Sequence, residues 1–153
     1  MARVAVVGSG LAGFTAYQTL RRALAPEEIA VFGTDDDPVA AWRPRAEAIR
    51  QREMRSESDG HCLPTSFPGL SFRSALRRRS PAPLIGSLLD RYHPTVEEFL
   101  AHVERLRERS GWERSLHPAR IERIRAVDGG FELDAYGAFQ RYFVQGLLAG
   151  SVK

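Results

Sequence analysis

The chain has 153 residues and a formal net charge of +3, with 43% hydrophobic and 27% charged residues. This length allows one domain with a full hydrophobic core, and the composition is ordinary for a soluble globular protein. No run approaches the roughly 20 apolar residues of a membrane helix, and glycines rather than a cleavage-type site follow the apolar stretch Val4 to Val7. We therefore predict no membrane span and no signal peptide, and we expect a cytoplasmic protein.

Neither the basic character of the chain nor its single cysteine indicates a nucleic-acid partner, a disulfide or a metal site. Nearly all positive charge is arginine and is interleaved with acidic residues, so we do not expect a nucleic-acid partner; Arg77 to Arg79 is interpreted as a solvated turn. Cys62 is the only cysteine, which excludes an intramolecular disulfide and a thiolate zinc cluster. His61 precedes it, but adjacent residues seldom converge on one atom, so we predict no metal site and favour a loop role for both.

A strand–helix–strand unit opens the chain. Arg3 to Val7 is short, β-branched and ended by glycine, which predicts a buried strand. Apolar and small residues recur at helical spacing from Leu11 to Leu24, and Pro26 stops that helix. Ile29 to Phe32 predicts a second strand, and a crossover of this length makes the two strands parallel.

The glycine fingerprint Gly8-Ser9-Gly10-Leu11-Ala12-Gly13 follows the first strand and opens the helix. This is the context in which such a motif binds a dinucleotide pyrophosphate. Gly8 lets the chain turn off the strand, Gly10 lets backbone approach the phosphates, and Gly13 lets the helix pack on the strand. The unpaired amides at the helix start would then face the phosphates. A tight turn without a ligand is the alternative.

The acidic residue that normally binds the ribose, about 20 residues beyond the glycines, is missing. Counting onward leads to Gly33, followed by Thr34. Asp35 or Asp36 could reach the ribose hydroxyls from a later position. The three aspartates 35–37 could equally form a solvated turn and helix cap, the interpretation that we favour. No arginine lies at this point, so a 2′-phosphate site is not indicated.

The rest of the chain alternates loops, one clear helix and a meander. Residues 46–53 could form a short helix, whereas glycines and prolines predict a loop-rich insertion over 54–93 with one short helix near Leu84 to Tyr92. Thr95-Val96-Glu97-Glu98 is a capping box that opens a long helix, which Gly111 closes. Ile121 to Val127, the turn at Asp128 and the alternating residues after it predict antiparallel strands, and 142–148 is a last apolar segment.

Several segments together carry a family resemblance. The order is the glycine fingerprint, Trp42-Arg43, the run from Met54 to His61, then the capped helix and the meander. This order resembles the amino-terminal part of FAD-dependent oxidoreductases of the two-dinucleotide-domain type. Within them it is most similar to the flavin-containing monooxygenase and N-hydroxylase group. The implied fold is α/β, a Rossmann-like FAD-binding βαβ unit with a parallel sheet plus a small antiparallel β-meander.

The resemblance also implies roles for particular residues. Gly8 to Gly13 would hold the FAD pyrophosphate, and Trp42 and Arg43 would lie beside the ribityl and phosphate region. Met54 to Ser58 would run near the isoalloxazine ring, and Ile121 would contact adenine through its main chain. Trp42 could equally be a core aromatic residue. No catalytic acid, base or nucleophile is identified; His61 is the one candidate near the flavin.

The length departs from that family. Its members carry a second glycine fingerprint for NADPH, and nothing after Gly13 repeats the pattern here. We therefore expect residues 1–153 to be a single, incomplete FAD/NAD(P)-binding domain, truncated relative to the parent enzyme, with uncovered sheet surface that favours self-association. The implied parent activity is NAD(P)H-dependent oxygenation of a small molecule. The alternatives are a stand-alone module that binds FAD, NAD or ADP without turnover, and a non-binding remnant.

Overall fold

The computed structural model describes residues 2–54, 69–89, 92–136 and 141–149. Two compact units divide the chain: the first unit is Met1–Ala41 with Arg107–Lys153, and the second unit is Trp42–Leu106. The strands are β1 (Val4–Val7), β2 (Ile29–Gly33), β3 (Leu116–Pro118), β4 (Ile121–Val127), β5 (Gly130–Ala135), β6 (Arg141–Val144) and β7 (Gly146–Ala149). The helices are α1 (Leu11–Leu20), α2 (Arg43–Ala48), α3 (Gly69–Arg78), α4 (Ala82–Leu88), α5 (Val96–Ser110) and α6 (Trp112–Ser115).

A four-stranded parallel sheet in the order β3-β2-β1-β7 organises the first unit. Its two predicted strands, β1 and β2, are apolar and largely buried, as expected for a parallel sheet that is covered on both faces. The crossover helix α1 ends at Leu20, four residues earlier than predicted. The chain from there to Leu24 continues as turns, followed by a 3-10 turn at Pro26–Glu28. The predicted α/β class is confirmed.

The predicted meander is confirmed as an antiparallel sheet in the order β4-β5-β6. Gly129, with φ of +82°, makes the turn between β4 and β5 in a conformation that favours glycine. Leu133 and Val144 of this sheet share one buried cluster with Ala5, Ala30 and Phe32 of the parallel sheet. The two sheets of the first unit therefore share a hydrophobic core.

The last apolar segment, predicted as one piece over 142–148, forms two strands. β6 ends at Val144, the exposed Gln145 separates it from β7, and β7 pairs in parallel with β1. Local periodicity does not reveal this switch, because the partner of β7 lies about 140 residues earlier in the chain.

Helices make up most of the described part of the second unit. The predicted capping box at the start of α5 is confirmed, since the Glu98 N–H donates to Thr95 Oγ1 at 3.1 Å and the Thr95 N–H donates to Glu98 Oε2 at 3.0 Å. The Gly111 φ of +76° at the end of α5 confirms the predicted termination. The short helix predicted near Leu84 is α4, which begins two residues earlier.

Helix α3 lies within the predicted loop-rich stretch and was not foreseen. It buries Ser71 (0% exposed) and Ser74 (3%) and leaves Phe72 (45%) and Leu76 (64%) exposed. A pattern that turns polar residues inward does not give the apolar stripe by which a helix is recognised. None of the helices that the structure describes is long and apolar enough to cross a membrane.

Two ionisable groups of α5 are buried in the second unit. Burial raises the pKa of Glu98, but hydrogen bonds from Thr95 and Ser74 and the charges of Arg77 and Arg78 outweigh it, so that its pKa lies below the usual value. Burial, aided by the charges of Arg105 and Arg73, lowers the pKa of His102 to about 4. His102 is therefore neutral at pH 7.

We expect acid to destabilise the chain through His102. Its ordinary pKa is 6.5 and its folded pKa is about 4, so the unfolded chain binds a proton first as the pH falls. The free energy of unfolding should drop by roughly 2 kcal/mol between pH 6.5 and pH 5, and Glu98 should extend the loss at lower pH. Urea unfolding followed by circular dichroism across this range measures it. His102→Leu should flatten the pH dependence because it removes the titrating group, and it breaks no hydrogen bond to the described residues. An unchanged slope would contradict this account.

Candidate functional site

A cleft of about 560 Å³ opens at the carboxyl edge of the parallel sheet in the first unit. Ligands of open α/β sheets bind outside the carboxyl ends of the strands. Here the ends of β1 and β2 meet the connection from β3 to β4. The lining residues are Val7, Gly8, Ser9, Gly10, Phe32, Gly33, Thr34, Asp35, Asp37, Ala40, Ala41, Ala119, Arg120 and Ile121.

The first two glycines of the fingerprint form the floor of this cleft. Gly8 has φ of +111°, which favours glycine, and its N–H donates to the Phe32 carbonyl at 2.7 Å. Gly10 is the N-cap of α1, with φ of −73° and ψ of −176°, and none of the described side chains caps the helix there. A Cβ added at Gly10 would meet no heavy atom of the described residues within 4 Å. The amides at the positive end of α1 are thus left uncapped, beside open space.

The third glycine of the fingerprint has a packing role. A Cβ added at Gly13 would lie 1.8 Å from the Gly8 carbonyl oxygen and 3.6 Å from Val6 Cγ1. Gly13 is buried in the first turn of α1. The close approach of helix to strand that the sequence predicted for this position is therefore present.

The packing around Gly33 explains why the acidic residue expected at the end of β2 is missing. A Cβ at this position would lie 2.1 Å from Ser9 Oγ, 2.3 Å from Ser9 Cβ and 2.7 Å from Ser9 N. Ser9 is itself 6% exposed. Because Ser9 fills this space, a side chain at position 33 would collide with it.

The three aspartates after Gly33 have different environments. Asp35 lines the cleft, and its N–H donates to Ser9 Oγ at 3.4 Å. Asp36 is not among the described lining residues; its carbonyl accepts a hydrogen bond from Trp112 Nε1 at 2.8 Å. Asp37 Oδ1 accepts from the Val39 N–H at 3.0 Å, which is a local turn contact. Asp35 and Asp37 both line the cleft, and the local bond to Val39 fits the turn interpretation for Asp37.

Sequence reasoning missed the far wall of the cleft, which consists of Ala119 and Arg120 beside Ile121. The Ala119 N–H donates to the Gly33 carbonyl at 3.1 Å and so continues the pairing of β3 with β2. Arg120 is exposed and has no ion pair with any residue that the structure describes. Recognising this wall from the sequence would have required recognising β3. That strand has three residues, lies at the edge of the sheet and contains Pro118, so it shows no periodicity.

The predicted site residues fall into three groups. Gly8, Ser9, Gly10, Gly33, Thr34 and Ile121 line the cleft, whereas Leu11, Ala12 and Gly13 form the first turn of α1. Trp42 and Arg43 belong to the second unit, where the Trp42 ring packs edge-to-face on Phe99 with centroids 5.3 Å apart. That contact fits a core aromatic, and the roles of Trp42 and Arg43 toward a cofactor stay predictions. Met54 is buried; residues 55–58, His61 and Cys62 lie outside the described residues.

Comparison with solved structures identifies the fold. A flavin monooxygenase from Stenotrophomonas maltophilia matches with a TM-score of 0.55 at 16% identity, over 97% of this chain and 37% of its own. OTEMO, solved in complex with FAD and NADP, matches with a TM-score of 0.56 at 14% identity, over 97% of this chain and 25% of its own. No protein-family model and no curated protein matches the chain. The resemblance to FAD-dependent oxidoreductases is confirmed at the level of the fold, and the chain spans a minor part of these neighbours.

Proposed function

We propose that this chain is the FAD-binding portion of a flavin-dependent oxidoreductase whose parent activity is NAD(P)H-dependent oxygenation of a small molecule. The observation that carries the proposal is the uncapped start of α1, where Gly10 leaves open space beside a cleft at the sheet edge. The fold shared with a flavin monooxygenase and with OTEMO supports FAD over other dinucleotides. The second nucleotide site belongs to the parent enzyme, since only one glycine fingerprint is present.

The residues of the cleft fit a dinucleotide by their chemistry. Gly8 and Gly10 would bring main-chain amides to the pyrophosphate, because neither has a side chain in the way. Asp35, which lines the cleft, would bind the ribose hydroxyls in place of a side chain at Gly33. Arg120 would add positive charge on the opposite wall. The bound flavin would supply the redox chemistry, and the protein supplies binding and orientation.

Gly10→Ala is expected to weaken FAD binding by about tenfold or more and to lower the stability of the free protein by no more than about 1 kcal/mol, since alanine is a poorer N-cap residue than glycine. The new methyl group would occupy the phosphate approach, yet it would contact none of the described residues within 4 Å in the free protein. Fluorescence titration gives the affinity, and thermal unfolding without ligand gives the stability. Gly86→Ala, a helical position in the second unit with its nearest contact at 3.5 Å, serves as the matched control. Equal FAD affinity in wild type and Gly10→Ala would remove the pyrophosphate assignment.

The same preparation separates the two alternatives. A yellow protein that retains flavin absorption through gel filtration supports the proposal, and a colourless protein that binds NADH or ADP supports a stand-alone nucleotide module. A ligand specific for the native state must raise its stability. A melting temperature that saturating FAD, NAD and ADP all leave unchanged would therefore indicate a non-binding remnant.

A further inference from the structure

A second cavity, of about 230 Å³, lies between α3 and α5 in the second unit. Each helix contributes one face, since positions three and four apart project together. The lining residues are Arg73, Ser74 and Arg77 from α3 and Glu98, Ala101 and Arg105 from α5. Three of these six side chains carry a guanidinium group, and one carries a carboxylate.

The carboxylate of Glu98 is already engaged in hydrogen bonds and ion pairs with other residues of the chain. Glu98, 7% exposed, accepts hydrogen bonds from the Thr95 N–H at 3.0 Å, Ser74 Oγ at 3.0 Å and the Tyr92 hydroxyl at 3.3 Å. It also pairs with Arg77, and Arg78 approaches to 3.6 Å. Glu98 therefore has its acceptor capacity filled and offers little to neutralise the remaining lining charges.

Arg73 has no ion pair with any residue that the structure describes, and its charge and that of Arg105 both act on His102. His102 lies on the same face of α5, between the Glu98 and Arg105 turns. It is 5% exposed, and neither ring nitrogen has a hydrogen-bond partner among the residues that the structure describes. A buried polar group without a partner is rare and costly. Three arginines and one carboxylate thus line the described part of the cavity, and the buried imidazole of His102, on the same helix, feels the charges of two of those arginines.

We propose that this cavity binds a tetrahedral oxyanion, a phosphate or a phosphoryl group of a larger ligand, between Arg73, Arg77 and Arg105. Guanidinium groups suit such an anion because their fixed N–H donors match its oxygens, and charge-assisted hydrogen bonds are the stronger ones. The bound anion would compensate the arginine charges that now act on His102. The proposal does not rest on FAD binding, since every lining residue belongs to the second unit.

The test is a titration of the whole chain with inorganic phosphate against chloride at matched ionic strength, followed by NMR of the His102 imidazole. Phosphate, and not chloride, should shift the His102 resonances and raise the pH at which they titrate. Arg73→Ala should raise the phosphate dissociation constant by about tenfold. Arg109→Ala, an arginine of α5 outside the cavity, should leave that constant unchanged.

Two further variants distinguish this site from other phosphate sites and guard against a folding defect. Gly10→Ala should retain the phosphate response of His102, which separates it from any phosphate bound at the glycine fingerprint. If Arg73→Ala fails to fold, Arg73→Lys, which keeps the charge and loses the fork of donors, should weaken binding without abolishing it. A wild-type His102 signal that does not respond to phosphate, or a response that is equal in Arg73→Ala, would overturn the oxyanion site.

Discussion

Replacing Trp112 by alanine should lower the free energy of unfolding by about 4 kcal/mol, the typical cost of deleting a buried tryptophan side chain. Trp112 is fully buried, and its ring packs edge-to-face on Phe14 and Tyr17 of α1, with centroids 5.1 Å away in each case. Its indole N–H donates to the Asp36 carbonyl, so the truncation also leaves that acceptor without its partner. Urea unfolding followed by circular dichroism measures the change.

Two matched variants test this account of Trp112. Tyr136→Ala removes an aromatic ring that is 68% exposed and should change stability by no more than about 0.5 kcal/mol. Trp112→Phe keeps most of the ring contacts and loses the hydrogen bond to Asp36, so its cost should be well below that of the alanine variant. Equal losses for Trp112→Ala and Tyr136→Ala would contradict the placement of Trp112 in the core.

Sequence patterns among neighbouring residues predicted those elements of the fold that depend on neighbouring residues. The βαβ unit, the capping box at Thr95 and the meander turn depend on residues close in the chain, and all are present. Trp112 shows the limit, since its partners Phe14 and Tyr17 lie about a hundred residues away and no periodicity links them. The same holds for β7, which joins the sheet beside β1.

For the candidate site, the sequence predicted the glycine turn between β1 and α1 better than the walls of the cleft. The glycine fingerprint could be recognised because glycines at this spacing, directly after a strand and at the start of a helix, are typical of a pyrophosphate site. The absence of an acidic residue at Gly33 was visible, but its cause was not, since it needs the 2.1 Å approach to Ser9 Oγ across the sheet edge. Arg120 reaches the cleft only because β3 extends the sheet, and the sequence did not indicate that strand.

Gly13→Ala is expected to destabilise the chain by about 3 kcal/mol or to prevent folding. In an exposed helix the same change would stabilise by up to about 1 kcal/mol, because alanine is the better helix former. Here the new Cβ would lie 1.8 Å from the Gly8 carbonyl oxygen and 2.9 Å from its carbonyl carbon, both backbone atoms. Gly8 cannot move aside cheaply, since its N–H is bonded to the Phe32 carbonyl. Overpacking against fixed atoms therefore outweighs helix propensity.

Gly10→Ala is the natural comparison, because it places the same methyl group in the same motif where it meets nothing. The two variants should separate in chemical denaturation without ligand: Gly10→Ala should stay within about 1 kcal/mol of wild type, and Gly13→Ala should unfold at much lower urea concentration. Equal stability of both would mean that helix α1 does not pack on the Gly8 turn as described. Two glycines of the same motif thus lack a side chain for different reasons. Gly13 is required by the packing of helix on strand, whereas a Cβ at Gly10 would meet none of the described residues within 4 Å, which supports the proposal that Gly10 leaves room for a ligand.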